Sequence, residues 1–175
     1  MEKVADILQI EQVGLKQLVI DWIYRHPNEF DALYEISMGD DLRLSWRAAW
    51  VISDLVKQNR DFRALIQPHT KAIIRRLKSF KTPGQKREYL KVLQLVEIDQ
   101  EDWGILIDIC FNWLSNRKTD EAIKMHCMQI IFEYGRRFEP DLLSELKLIL
   151  EENIEFAKAG FKNRGGKLLK KLDGF

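Results

Sequence analysis

Apolar residues recur at intervals of three and four along almost the whole chain, the period that lines one face of an α-helix. Leu15, Leu18, Val19, Trp22 and Ile23 form one such stripe. It stops at His26-Pro27-Asn28, because the residue before a proline is driven out of the helical region. Phe30, Leu33, Tyr34 and Ile36 predict a short helix ending near Gly39. Asp40-Asp41 then supply cap oxygens for a helix carrying Leu44, Trp46, Ala49, Trp50, Ile52, Leu55 and Val56. After Asn59-Arg60-Asp61 the stripe resumes through Leu65, Ile66, Ile73, Ile74, Leu77 and Phe80, with Pro68 expected to interrupt it and set residues 62–67 apart.

Thr82-Pro83 predicts the next start, since a proline in the first turn loses no hydrogen bond. Tyr89, Leu90, Leu93 and Val96 follow, then Trp103, Leu106, Ile107, Cys110, Trp113 and Leu114. Thr119-Asp120-Glu121 opens a helix expected to close at Gly135, and Pro140-Asp141 opens another through Leu142, Leu146 and Leu150. Phe161, Leu168, Leu169 and Leu172 mark the last. Gly165-Gly166 interrupt it at a cost of about 2 kcal/mol relative to alanine, so that helix is expected to fray or to begin at Lys167. The prediction is an all-α chain.

A recurring pair organises these helices. An apolar residue followed by a basic one stands near the start of every second helix, at Leu15-Lys16, Trp46-Arg47, Ile123-Lys124 and Phe161-Lys162, with Lys86-Arg87 in the same place. The basic residues Lys16, Arg47, Arg87, Lys124 and Lys162 are spaced 31, 40, 37 and 38 apart. A helix pair of that length cannot bury its own apolar face, so neighbours must share a core. We therefore expect residues 1–175 to form a single helical-repeat domain.

The segment Asp41-Leu42-Arg43-Leu44-Ser45-Trp46-Arg47-Ala48-Ala49-Trp50 resembles the second helix of a HEAT repeat. That family places an Asp six residues before an Arg, followed by small residues, and Asp41, Arg47, Ala48 and Ala49 match. The other copies keep the basic residue and lack the Asp. The resemblance implies a short right-handed α-α superhelix, a HEAT-like solenoid of about four hairpins, whose second helices line a concave face. Ser45–Val51 and Glu145–Glu151, leading to Ala159-Gly160-Phe161-Lys162, also resemble short bacterial proteins of which some carry the label adenylosuccinate lyase. That activity requires a mobile serine-rich S-S-x-M-P-x-K-x-N loop, which the sequence lacks, so lyase chemistry is rejected.

Composition narrows the function further. Hydrophobic residues make up 46% and charged residues 31%, and only nine Gly and four Pro break the chain, a globular balance that favours helices over many strands. The net charge is +1, from 28 Lys and Arg against 27 Asp and Glu. Nucleic-acid binding draws on phosphate contacts and usually brings a clear basic excess, so such a role would rest on a local patch. The best patch runs from Lys71 to Arg87, with Lys71, Arg75, Arg76, Lys78, Lys81, Lys86 and Arg87 and no acidic residue. A solvated helix end is the plainer reading and an anionic partner the functional one. A second set, Lys158, Lys162, Arg164, Lys167, Lys170 and Lys171, reads as a polar cover for the end of the stack.

Trp46, Trp50 and Asp54 fall at i, i+4 and i+8 and share a helix face. They resemble the tryptophan and aspartate set with which DNA-alkylation-repeat glycosylases grip a damaged nucleotide. Packing in the core is the competing reading, and the preferred one. His26, His69 and His126 are scattered; His126 and Cys127 point about 100° apart, and no HExxH, CxxC pair, phosphate loop or GxSxG is present. No catalytic residue, metal or cofactor is expected. The acidic start Met1–Asp6, the lack of any apolar run near about 20 residues, and Cys110 and Cys127 in apolar surroundings lead us to expect a cytoplasmic protein without membrane contact.

These observations predict a non-enzymatic interaction module that binds a protein or peptide, with nucleic acid as the alternative partner. The candidate contact residues are Arg47, Trp50, Asp54, Arg75, Arg76, Lys78, Arg87 and Lys124.

Overall fold

The computed structural model describes residues 3–10, 12–155 and 157–174. Among them every regular element is helical. They fall into two compact units divided between Ile98 and Asp99.

The first unit holds α1 (Val4–Gln9), α2 (Leu15–Arg25), α3 (Phe30–Met38), α4 (Leu42–Gln58), α5 (Arg60–Ile66), α6 (Thr70–Arg76) and α7 (Pro83–Leu93). The predicted punctuation is realised in atoms. Asp41 accepts from the Arg43 and Leu44 N–H groups at 2.9 Å, Asn59 from the Asp61 N–H at 2.9 Å, and Thr82 Oγ1 from the Gln85 N–H at 3.1 Å. Each oxygen satisfies a backbone donor that the first turn leaves free. The Asp41 carboxyl is held below its ordinary range, chiefly by the Leu44 N–H. Pro68 sits in a short 3₁₀ turn, Gln67–His69, that separates α5 from α6, so α5 already starts at the Asn59 cap.

Helix α4 is the centre of this unit and packs against α2, α3, α5 and α7. Ala48, Ala49, Val51, Ile52, Ser53, Leu55 and Val56 are all buried, more than half its circumference. Between its ends, the strip holding Arg43, Trp46, Arg47, Trp50, Asp54 and Lys57 keeps solvent contact. On α2 the buried face is Leu15, Val19, Ile20 and Ile23; the expected stripe member Leu18 is exposed and Ile20 takes its place. The apolar run Leu18-Val19-Ile20 is continuous, so periodicity could not choose which of the three points outward.

The second unit holds α8 (Gln100–Ser115), α9 (Glu121–Arg137), α10 (Asp141–Ile154) and α11 (Ala159–Leu172). Its core contains Leu106, Cys110, Leu114, Cys127, Met128, Ile131, Leu146, Leu150 and Phe161. Helix α9 packs on α8, α10 and α11. Two glycine expectations are corrected here. Gly135 does not close its helix, which continues to Arg137; it is buried where α10 approaches, and a β-carbon there would meet Leu143 Cδ2 at 2.7 Å. Gly165 and Gly166 lie inside a continuous α11 that already begins at Ala159. Gly165 is buried, and the apolar face of Phe161, Leu168 and Leu172 packed against α10 carries the helix through two residues of poor helix propensity.

Candidate functional site

The repeated basic position gives the frame for the site, because the structure treats its five copies differently. Lys16 reaches from α2 to α4, where its ammonium lies 2.6 Å from Asp54 and 4.4 Å above the ring of Trp50. Arg47 turns towards α1 and donates to the carbonyl oxygens of Leu8 at 2.9 Å and Ile10 at 3.4 Å. These are C-terminal carbonyls of a helix, left without partners by their own helix. Arg47 therefore fastens α1 to α4, while Asp41, its partner in the HEAT pattern, is engaged as the cap of its own helix. Arg87 donates to Glu88 Oε1 at 3.0 Å, and Lys91 lies 2.8 Å from Glu88 Oε2. Glu88 is fully buried, and two cations supply the compensation that a buried carboxylate requires.

Trp46 and Trp50 stack nearly parallel on α4, with ring centroids 5.7 Å apart and planes 5° from each other. Neither ring is in the core; both are half-buried. Trp46 lies against Gly84 at the start of α7, so closely that any β-carbon there would collide with the indole. Helix α4 packs on both α2 and α7 here. Lys16 and Asp54 stand at one side of the paired indoles, and on α7 the partly exposed Arg87 and Lys91 flank the buried Glu88. Of the predicted contact residues, Trp50, Asp54 and Arg87 belong to these packed helices. Arg75 and Arg76 are exposed at the end of α6 and Lys78 in the turn that follows it. Within the same basic segment Lys81 faces Asp40 at 3.7 Å.

Lys124 belongs to the second unit. Its side chain is 8% exposed, and burial pushes its ammonium below the usual lysine range, opposed by Glu121 and aided by Arg117. It lines a cleft of about 490 Å³ with Arg117, Thr119, Glu121, Glu152, Asn153, Ala157 and Phe161. A second depression, about 390 Å³, runs between α9 and α11 and carries Arg164, Lys167 and Lys171 beside Met125 and Gln129. Lys162, the last copy of the repeated position, is exposed.

The sequence named Lys16 as a repeat anchor and not as a contact residue, and it did not single out Lys91, Glu88 or the two clefts. The i, i+4, i+8 rule could find Trp46, Trp50 and Asp54 because they share one helix, whereas the partner of Asp54 comes from another.

Asp99, Glu101 and Asp102, in and just before the first turn of α8, form the one group among the described residues whose potential metal-ligand atoms lie within 4.8 Å of one another. Carboxylates are favoured there by the unpaired N–H groups of the helix start. Among the described residues no helix is long and apolar enough to cross a membrane.

A family model described as a HEAT repeat domain matches residues 8–172. No curated protein and no solved structure matches the chain.

Proposed function

The chain belongs to the HEAT repeat domain family, and from that premise we propose that it is a non-enzymatic interaction module whose α2–α4–α7 face binds a protein or peptide. HEAT repeats are commonly protein-interaction scaffolds. The observation that carries this reading is the stacked, half-exposed Trp46–Trp50 pair beside the Lys16–Asp54 ion pair. Aromatic rings with a polar border are the composition of interface hot spots, where a large rigid surface is desolvated at little cost in side-chain entropy. The mixed charges alongside, Lys16 with the partly exposed Asp54, together with Arg87 and Lys91 whose charge the buried Glu88 already offsets, favour a segment carrying both signs over a polyanion. Arg47 contributes by holding α1 against α4, and Lys124 belongs to a separate cleft. We place the module in the cytoplasm, a reading supported by two free, buried cysteines, Cys110 and Cys127.

The test is affinity capture from native extract with the wild-type chain, Trp50→Ala and the double variant Lys16→Ala/Asp54→Ala. The reading expects a protein retained by the wild type and lost from Trp50→Ala, with a photo-crosslinker at position 46 joining the same protein. Salt-dependent binding to duplex DNA that disappears when Arg75 and Arg76 are reversed in charge would replace it with the nucleic-acid reading.

A further inference from the structure

We propose that the cleft beside Lys124 binds a small organic acid of amino-acid size, whose carboxylate sits between the Lys124 ammonium and the Arg117 guanidinium. The inference is independent of the peptide face, which lies in the other unit.

Lys124 differs from its counterparts in opening onto a cleft. At the equivalent places Lys16 has Asp54, Arg47 has two carbonyl oxygens, Arg87 has Glu88, and Lys162 has solvent. Lys124 is nine-tenths buried as a residue, and the charges that act on its ammonium are Glu121, one turn earlier on the same helix, and Arg117 in the preceding loop. Partial burial and the nearby Arg117 push its pKa down against the pull of Glu121, so a further carboxylate beside the two cations would be favoured. The cleft beside it provides the space in which a counter-ion could sit.

The lining identifies the class of that counter-ion. At about 490 Å³ the cleft falls in the range of small-molecule sites. Arg117, from the loop between α8 and α9, adds a second cation and a planar donor fork suited to a carboxylate. Glu121 and Glu152 line the same cleft, so a phosphate dianion would face two like charges, whereas a single carboxylate would not be outweighed. Glu121 already accepts the Lys158 N–H at 3.1 Å. Asn153 donates its amide to the Ile149 carbonyl at 2.7 Å, which leaves its own oxygen to accept. Glu152 and Asn153 can therefore take a donor group on the ligand, such as an ammonium, while Phe161 and Ala157 supply an apolar side. One carboxylate with one nearby donor is the chemistry of an amino acid. The same chemistry also occurs in an acidic side chain of a partner.

The experiment is calorimetric titration of the full chain with L-glutamate, succinate, inorganic phosphate and a glutamate blocked at both termini, with backbone amide NMR to locate the response. Expected is saturable binding of glutamate that shifts the resonances of residues 117–124 and 152–153. Lys124→Met should weaken it roughly tenfold to a hundredfold, as loss of a charge-assisted hydrogen bond does. Lys162→Met should leave it unchanged. Arg117→Gln, on an exposed loop where folding is not at stake, should weaken it as well. Binding of the blocked glutamate alone, with the same response to the variants, would support the site and assign its carboxylate to a partner side chain. The proposal is overturned if no carboxylate probe moves these resonances, if Lys124→Met binds as the wild type does, or if phosphate binds more tightly than either acid.

Discussion

The phenol hydroxyl of Tyr89 on α7 is hydrogen-bonded to the Ser37 hydroxyl near the end of α3, and both groups are buried. Ser37 in turn donates to the Tyr34 carbonyl at 2.5 Å, so the tyrosine is the donor to the serine. Gln85 adds a bond from its amide to the Ser37 carbonyl at 2.6 Å. This polar clasp fixes α7 against the α3–α4 hairpin, and so fixes the position of Gly84 beneath Trp46.

Removing either end of the clasp has unequal consequences. Ser37→Ala leaves a buried hydroxyl without an acceptor and is expected to cost about 1–3 kcal/mol; Tyr89→Phe removes one hydrogen bond and should cost about 1 kcal/mol. In urea unfolding the double variant should be less destabilised than the sum of the two, by roughly 1 kcal/mol. Strict additivity would mean the bond contributes nothing.

Alkaline solution tests the same tyrosine. Burial drives its pKa well above the ordinary value of 10.0, the largest of several influences. The folded state therefore keeps a proton that the unfolded chain releases, and this contribution is complete below pH 10 and is lost as pH rises beyond it. The slope for one such group is about 1.4 kcal/mol per pH unit. Melting curves above pH 10 should fall more steeply for the wild type than for Tyr89→Phe; equal slopes would contradict the burial.

Two glycines should respond in opposite directions. Gly165→Ala places a methyl at ordinary contact distance, 3.6–3.7 Å from Ile154, Phe161 and Leu150, inside a helix. It is expected to stabilise by about 1 kcal/mol. Gly84→Ala must displace the Trp46 indole and should cost about 1–3 kcal/mol, with a shift in tryptophan emission. Thermal unfolding and fluorescence of both variants decide the matter.

Asp54→Ala separates stability from function. The Lys16–Asp54 pair retains 31% and 24% side-chain exposure, so its loss should change stability by less than about 1 kcal/mol. Partner capture, by contrast, should fall severalfold as Lys16 leaves Trp50. A variant that captures its partner normally would remove Asp54 from the interaction face.

The repeat pattern runs from Lys16 to Lys162 without regard to the division at Ile98–Asp99. The expectation of one domain over residues 1–175 predicts a single urea transition, reported alike by tryptophan fluorescence and circular dichroism. Two separated transitions would divide the chain at that point.

The sequence by itself determined the helical class, the capped helix starts at Asp41, Thr82 and Asp120, and the family pattern, because these depend on neighbours within a few residues. A cap such as Asp41 or Thr82 acts on N–H groups two or three positions away, and an apolar stripe needs only the helix period to declare itself. The glycines were misread for the complementary reason. A glycine that ends a helix and one that admits a neighbour look alike in sequence, and only the approach of Leu143 to Gly135 tells them apart. The basic repeat shows the same limit. Five equivalent residues were legible, but that Lys16 meets Asp54 and Arg47 the carbonyls of Leu8 and Ile10 depends on chain segments tens of residues away. Tertiary structure therefore decided the candidate sites, since the carboxylate that engages Lys16 and the cleft that opens beside Lys124 are set by packing between helices.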